Sequence, residues 1–231
     1  MKNLVHKPFV LYCRLSAPVA LNHPWLHLDG ILTHLLRLEA QGRTYYTMPA
    51  KTPQPAPNRE AFEILKLYHN AVFHASISFF SEPNRIYSAQ YFKRFEERNC
   101  PAKRKINIAS GHYRHWMLRS VVIAADHCYF YGCGDTDRIA RALQHLVALG
   151  DNTRIGWGTV HSWHIERIPD DRSLVHQDKA MRPIPVRLLE RYSEAVELAW
   201  RPPYWAAENI ELCAPPEAEV RLIEPIYRRA R

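Results

Sequence analysis

Glycine is scarce in this chain, with eight in 231 residues. That excludes collagen-like and glycine-rich disordered sequences. Cysteine is also sparse: five residues, at positions 13, 100, 128, 133 and 213. An odd, scattered set does not make a disulfide framework and suits a reducing compartment. No run reaches the roughly 20 apolar residues of a membrane-spanning helix. Met1 to Pro8 carries Lys2 and Lys7 without the apolar stretch of a signal peptide, so a cytoplasmic location without membrane contact is expected. No Gly-Lys-Ser/Thr closes a Walker A loop, and no paired-carboxylate, Ser-His-Asp or Cys-His arrangement stands out. Cys128 and Cys133 lie near His127, but no second cysteine pair stands at zinc spacing. The expectation is therefore no catalytic residue, no metal and no cofactor.

Basic residues, by contrast, are in excess. The formal net charge is +8, and arginine outnumbers lysine 23 to 8. The rigid arginine fork matches phosphate geometry, which favours a polyanionic partner. The excess is uneven. Between Arg98 and Ala125 lie Arg98, Lys103, Arg104, Lys105, Arg114 and Arg119 and no acidic residue, interleaved with His112, Tyr113, His115 and Trp116. Such a segment can neutralise phosphates and stack unpaired bases. His112 or His115 beside Arg114 would also serve the chemistry of a metal-independent ribonuclease.

Periodicity orders the chain. Phe9 to Ser16 alternates as a strand, with Tyr12 and Arg14 on the face opposite Phe9, Leu11 and Cys13. Leu28 to Gln41 carries a helical apolar stripe ended by Gly42. Met48 to Asn58, rich in proline, reads as a connector. Glu60 to Asn70 suggests a short helix, and Ala71 to Phe80 a second strand. Positions 81 to 118 look like an arm-like basic insertion. Arg119 to Ala125 and Cys128 to Gly132 read as strand. Asp135 is the expected N-cap of a helix running to Leu149, and Thr159 to Ile168 a last strand. The expected fold is α+β: an RRM-like or ferredoxin-like antiparallel sheet backed by two helices over residues 1–168. Residues 169–231 form a C-terminal extension with a helix expected from Val186 to Trp200.

Three of the eight glycines cluster in Gly150-Asp-Asn-Thr-Arg-Ile-Gly-Trp-Gly158, between the second helix and the last strand. Glycine admits positive φ and close approach of a phosphate. Arginine and tryptophan in the same turn suit backbone and base contacts. Asn152, Thr153, Arg154, Gly156, Trp157 and Gly158, with Tyr12 and Arg14, are the candidate RNA-binding residues.

This loop with its following Thr159-Val-His-Ser-Trp-His-Ile-Glu166 resembles the glycine-rich loop of the RAMP superfamily of CRISPR-associated proteins. Leu26-His-Leu-Asp-Gly-Ile-Leu32, Tyr129-Phe-Tyr-Gly-Cys-Gly-Asp135 and Arg201-Pro-Pro-Tyr-Trp205, with Cys213 and Pro215, narrow the likeness to the Cas-five-like subunits of type IV effector complexes, the "Csf three" family. The resemblance implies a non-catalytic subunit capping the 5′ handle of the CRISPR RNA and contacting the backbone subunit. It also implies help to the large subunit in engaging target DNA beside its PAM, with an accessory helicase acting indirectly. The same superfamily contains CRISPR RNA-processing endoribonucleases, and a stand-alone RNA-binding module would share the same loop and charge.

Overall fold

The computed structural model describes residues 6–42, 63–69, 71–94, 107–111 and 113–223. The expected connector at Met48 to Asn58 lies outside them. In chain order the strands are β1 (Lys7–Leu15), β2 (Val19–Leu21), β3 (Leu67–Tyr68), β4 (Val72–Phe73), β5 (Phe79–Phe80), β6 (Arg85–Lys93), β7 (Trp116–Ala124) and β8 (His127–Gly134). They continue as β9 (Val160–Arg167), β10 (Val175–His176), β11 (Lys179–Ala180), β12 (Ile184–Pro185), β13 (Leu189–Tyr192), β14 (Val196–Ala199), β15 (Ile210–Ala214) and β16 (Val220–Leu222). Helix α1 (Leu28–Gln41) follows β2 and helix α2 (Thr136–Leu143) follows β8. No helix among the described residues is long and apolar enough to cross a membrane. The protein is therefore α+β with antiparallel strand pairing.

The central sheet has four strands in the order β5-β8-β1-β9. Its inward face follows from the alternation in β1 and β8: Phe9, Leu11, Cys13, Cys128 and Phe130 point one way and are fully buried or nearly so. Leu28, Leu32 and Leu35 of α1 and Ile139, Ala142 and Leu143 of α2 close over that face. Burial of each such leucine or isoleucine contributes roughly 1.5–3 kcal/mol, so the two amphipathic stripes suffice to hold both helices on one side. Asp135 caps α2 as its position suggested, its Oδ1 accepting from the Asp137 and Arg138 amides at 3.1 Å.

Four expectations need correction. Helix α2 stops at Leu143 rather than Leu149, tightening through i−3 hydrogen bonds at Gln144, His145 and Leu146. Ala148 bridges Thr159 instead, which closes the neck of the next loop. Within Glu60 to Asn70 the described residues 63–69 hold no helix: Leu65 bridges Gly134, Lys66 donates to the Cys133 carbonyl, and Leu67–Tyr68 form β3. The arm-like insertion expected at 81 to 118 takes in β6 and the start of β7, which begins at Trp116 rather than Arg119: the two pair antiparallel from Arg85↔Ala124 to Lys93↔Trp116, with β2 on the other side of β7. The expected helix from Val186 to Trp200 is one 3-10 turn (Val186–Leu188) and two strands, β13 and β14, which pair with β16 and β15.

The extension builds its own apolar cluster from Leu174, Ile184, Leu188, Leu189, Trp200, Cys213 and Val220, and Tyr68 and Val72 enter it from the first half of the chain. This explains why Val72 to Ser78 is buried throughout rather than alternating. Both faces of that segment are covered.

One charged side chain joins the two clusters. Arg182 is wholly buried and donates to the carbonyls of Phe73 and Ala75 at 2.9 Å, to Trp200 O at 2.5 Å and to Asp29 Oδ2 at 3.1 Å. Tyr204 donates to the other Asp29 oxygen at 2.6 Å. Burial, with Asp29 beside it, pushes the Tyr204 phenol well above its ordinary range, so it stays a donor. Asp29 sits in the first turn of α1, where a carboxylate also meets the positive end of the helix dipole. Removing one partner of a buried pair leaves an uncompensated charge, so Arg182→Ala is expected to cost roughly 3–5 kcal/mol in urea unfolding. A loss below about 1 kcal/mol would show that the network does not hold the halves together.

A second tether is Asp171, whose Oδ2 lies 2.7 Å from His74 Nδ1 and 3.7 Å from Lys66 Nζ. Burial works against its ionisation, but the bonds from His74 and Ser173 win and hold its carboxyl well below the usual carboxylate range. A depressed folded value contributes stability that is present above the unfolded carboxylate value, near 4, and lost as pH falls through the folded one. Asp171→Asn should therefore unfold at lower urea than the native chain at pH 7. The gap should begin to narrow as pH falls below about 4 and close only in much stronger acid, once the folded carboxyl itself is protonated, and a constant gap across pH would overturn the assignment.

Candidate nucleic-acid interface

The glycine loop is pinned at its neck and open at its tip. Leu149 N donates to Gly158 O at 2.9 Å, Gly158 N to Pro18 O and Asp151 N to Ala20 O, each at 2.8 Å. The Asp151 carboxylate in turn accepts from Asn22 N at 2.7 Å. Between these points Asn152 is left-handed and Thr153–Ile155 form a single 3-10 turn. Gly156 and Gly158 both have positive φ, yet their surroundings differ. A Cβ on Gly158 would lie 1.8 Å from the Leu149 carbonyl oxygen, whereas one on Gly156 would meet nothing within 4 Å. Gly158 serves the neck, and Gly156 leaves the tip open to approach. Asn152, Thr153, Arg154 and Gly156 are exposed, and Arg154 has no ion-pair partner among the described residues. Trp157 is half-buried, its ring edge-on to Tyr91 of β6 at 6.4 Å. It ties the loop to the arm.

Tyr12 and Arg14 lie on the face of the central sheet away from the helices. The register places His164, Tyr12, Tyr129 and Phe79 side by side across β9, β1, β8 and β5. His164 stacks on Tyr12 at 4.9 Å; Tyr12 and Tyr129 are 6.0 Å apart, and Tyr129 stacks on Phe79 at 5.6 Å. The next cross-strand row is Ser162, Arg14 and His127, and the Ser16 amide then reaches the Thr159 carbonyl. So the ring row leads through exposed Arg14 to the end of the glycine loop. Burial raises the Tyr12 and Tyr129 phenols above their ordinary values, helped by Glu166 at Tyr12 and by Tyr131 and Tyr12 at Tyr129. Both rings are neutral donors at physiological pH. The Phe79, Tyr129 and His164 contributions escaped the sequence reading. Their signal was the alternation within β8, where Tyr129 and Tyr131 sit out of phase with Cys128 and Phe130.

The sequence model of a family described as CRISPR type IV associated protein Csf3 matches residues 75–216, more than half of the chain. The chain belongs to the Csf3 family. No curated protein matches it. The matched span begins in the segment that feeds β5 and runs through the β6–β7 arm, β8, α2, the glycine loop and most of the extension. It includes Tyr129, His164, Arg182 and Tyr204, while Tyr12 and Asp29, their partners, lie upstream of it. Family membership associates the protein with type IV CRISPR systems and with a complex of other Cas subunits.

Arg98, Lys103, Arg104, Lys105 and His112 lie outside the described residues. Arg119 stands opposite Gln90 on β7, and Arg114 and His115 are exposed in the turn before it. The ring contact between Tyr91 and Trp157 joins the arm to the glycine loop. Cys128 faces the helices opposite Cys13, and Cys133, five residues on, faces the other side near Asp171. Burial pushes the Cys13 and Cys133 thiols up to about 12. Among the described residues no group of three His, Cys, Asp or Glu side chains could hold a metal ion.

The contrast between the two loop glycines is measurable by urea unfolding. Gly156→Ala should cost about 1 kcal/mol, the penalty of a side chain at positive φ. Gly158→Ala should cost clearly more, because the Leu149 carbonyl has to move. Equal losses would show that the neck does not constrain the loop.

Proposed function

We propose that this protein is the subunit that binds and caps the 5′ handle of the CRISPR RNA in a type IV effector complex, without cleaving it. The observation that carries the reading is the four-ring row His164–Tyr12–Tyr129–Phe79, which leads through Arg14 to the open tip of the glycine loop. A strand order of β5-β8-β1-β9 with both helices on one face supports an RRM-like, ferredoxin-like RAMP fold. Modules of that kind lay single-stranded RNA over the open sheet face and stack bases on its aromatic rings. Arg154 and Gly156 are placed to meet phosphate where the strand leaves the sheet.

In this reading the β6–β7 arm, with Arg114, His115 and Arg119, presses on guide RNA or on target DNA, and the basic residues Arg98, Lys103, Arg104 and Lys105 that lie between its strands in the sequence add to the charge. The large subunit would be its partner in engaging the duplex beside the PAM, and the backbone subunit its neighbour along the guide. The helicase would act on the target only through the assembled complex. Sequence is then read by guide pairing, and the protein reads shape and backbone.

The test is filter binding of handle RNA to the full-length chain across a salt titration. Tyr12→Ala should weaken binding about 5- to 150-fold, the range of one base–aromatic stack. Arg154→Ala should weaken it and lower the slope of log affinity against log salt by about 0.7, one single-strand phosphate contact. Unchanged affinity in both variants would overturn the interface. Metal-free, site-specific cleavage of repeat RNA would favour the processing endoribonuclease instead.

A further inference from the structure

On the helix side of the glycine loop lies a cleft of about 610 Å³, walled by the loop, the segment after β2, the start of α1 and the extension. Its volume is that of a small-ligand site. Its walls are mostly apolar and carry two indoles, Trp25 and Trp205. The buried network holds Trp25 directly and reaches Trp205 through its chain neighbour Tyr204. Trp25 Nε1 donates to His27 Nε2 at 3.0 Å, and the His27 ring stacks flat on Tyr204 at 3.8 Å and 14°. Tyr204 is bonded to Asp29, so the neighbouring Trp205 is presented by an anchored residue. Trp205 is nonetheless 77% exposed, the most exposed large apolar side chain among the described residues. An exposed indole at the mouth of an apolar cleft is a stacking surface in want of a partner.

The charge pattern selects the partner. The one carboxylate in the lining, Asp151, is engaged by the Asn22 amide. Burial lowers His27 to about 3 and, with Arg37 nearby, lowers His34, so these two wall imidazoles are neutral, while the third histidine of the lining, His23, is exposed to solvent. The interior thus offers flat, uncharged surfaces. At the rim Thr153 lines the cleft, and its neighbour Arg154 and the open Gly156 stand outside it. A neutral interior with a cation and an open backbone at its mouth matches a nucleotide, base within and phosphate without.

We infer that the cleft receives one unpaired base of the bound RNA, turned out of the strand at the glycine loop and stacked on Trp205 while its phosphate rests at Arg154 and Gly156. This rests on the reading of the chain as a handle-binding subunit, and adds a base subsite on the side of the loop opposite the sheet. The strand would then be held on both flanks of one turn.

The experiment is fluorescence anisotropy of the full-length chain with handle RNA from its own CRISPR locus, carrying a single abasic site moved one position at a time. One position near the glycine-loop contact should lose about tenfold in affinity when its base is removed. Trp205→Ala should lose about as much on intact RNA and nothing further at that position, whereas Trp205→Phe should keep most of the binding. The cleft is overturned if Trp205→Ala and the abasic losses add at every position, or if Trp205→Phe binds no better than Trp205→Ala. It is equally overturned if Trp205→Ala leaves RNA affinity unchanged and instead abolishes co-purification with another subunit. In each of those cases Tyr12→Ala still weakening binding would leave the handle reading standing; loss of that effect as well would remove both.

Discussion

The buried guanidinium of Arg182 is the constraint on which the architecture turns. A charge removed from water is tolerated only where acceptors surround it, and here they come from distant parts of the chain: Asp29 in α1, Phe73 and Ala75 before β5, and Trp200 in the extension. None of these stretches can shift along its axis without stranding the charge. The geometry therefore sets the register between the helical layer and the extension, which apolar packing alone would leave looser. Its influence reaches the surface through Tyr204, which stacks under His27 and carries Trp205 to the mouth of the cleft. The distant pieces Leu26–Leu32 and Arg201–Trp205 belong together because they close on this one ion pair.

The candidate interface is built on the same logic of fixed supports and open ends. The neck of the glycine loop is tied to Pro18 and to Ala20 of β2 by backbone bonds, and a side chain at Gly158 would collide with the Leu149 carbonyl, so the two ends of the exposed tip are fixed. The sheet face supplies neutral rings in a row, and Arg14 carries the path from those rings to the loop. Trp157 acts differently, because by packing on Tyr91 it fixes the arm relative to the loop. Rigid stacking surfaces cost little entropy on binding, which is why such a surface can hold a flexible strand.

Elements with one covered face were legible. The alternation of Phe9, Leu11 and Cys13 located β1, the stripe of Leu28, Leu32 and Leu35 located α1 to its bounds, and Asp135 marked the start of α2. Elements whose faces are both covered or both mixed were not. Val72 to Ser78 is buried on every residue because the extension covers its second side. On β6 exposed Ile86 and Phe92 share the strand with arginine and serine, so no period emerged; β7 was legible from Arg119 onward but not at Trp116 to Leu118, and only the cross-strand pairing makes the two a hairpin. Leu146, Val147 and Leu149 continue the helical period of α2, but the Ala148 bridge to Thr159 overrides it. Likewise Val186 to Trp200 has apolar residues enough for a helix, and β15 and β16 recruit it as strands.

By itself the sequence determined the local grammar of this protein: which segments bury one side, where a helix starts, that a basic excess and a glycine cluster mark the loop, and which family the motifs resemble. Those properties depend on neighbours within a turn or two, so they survive in one dimension. Only the tertiary structure decided that Arg182 is the buried link and not another phosphate ligand, that Gly158 and Gly156 have separate roles, and that four rings from four strands form one row. Each of those depends on contacts between residues far apart in the chain. Charge, ring and glycine look the same in sequence whether they face solvent, core or ligand, and packing alone assigns the face.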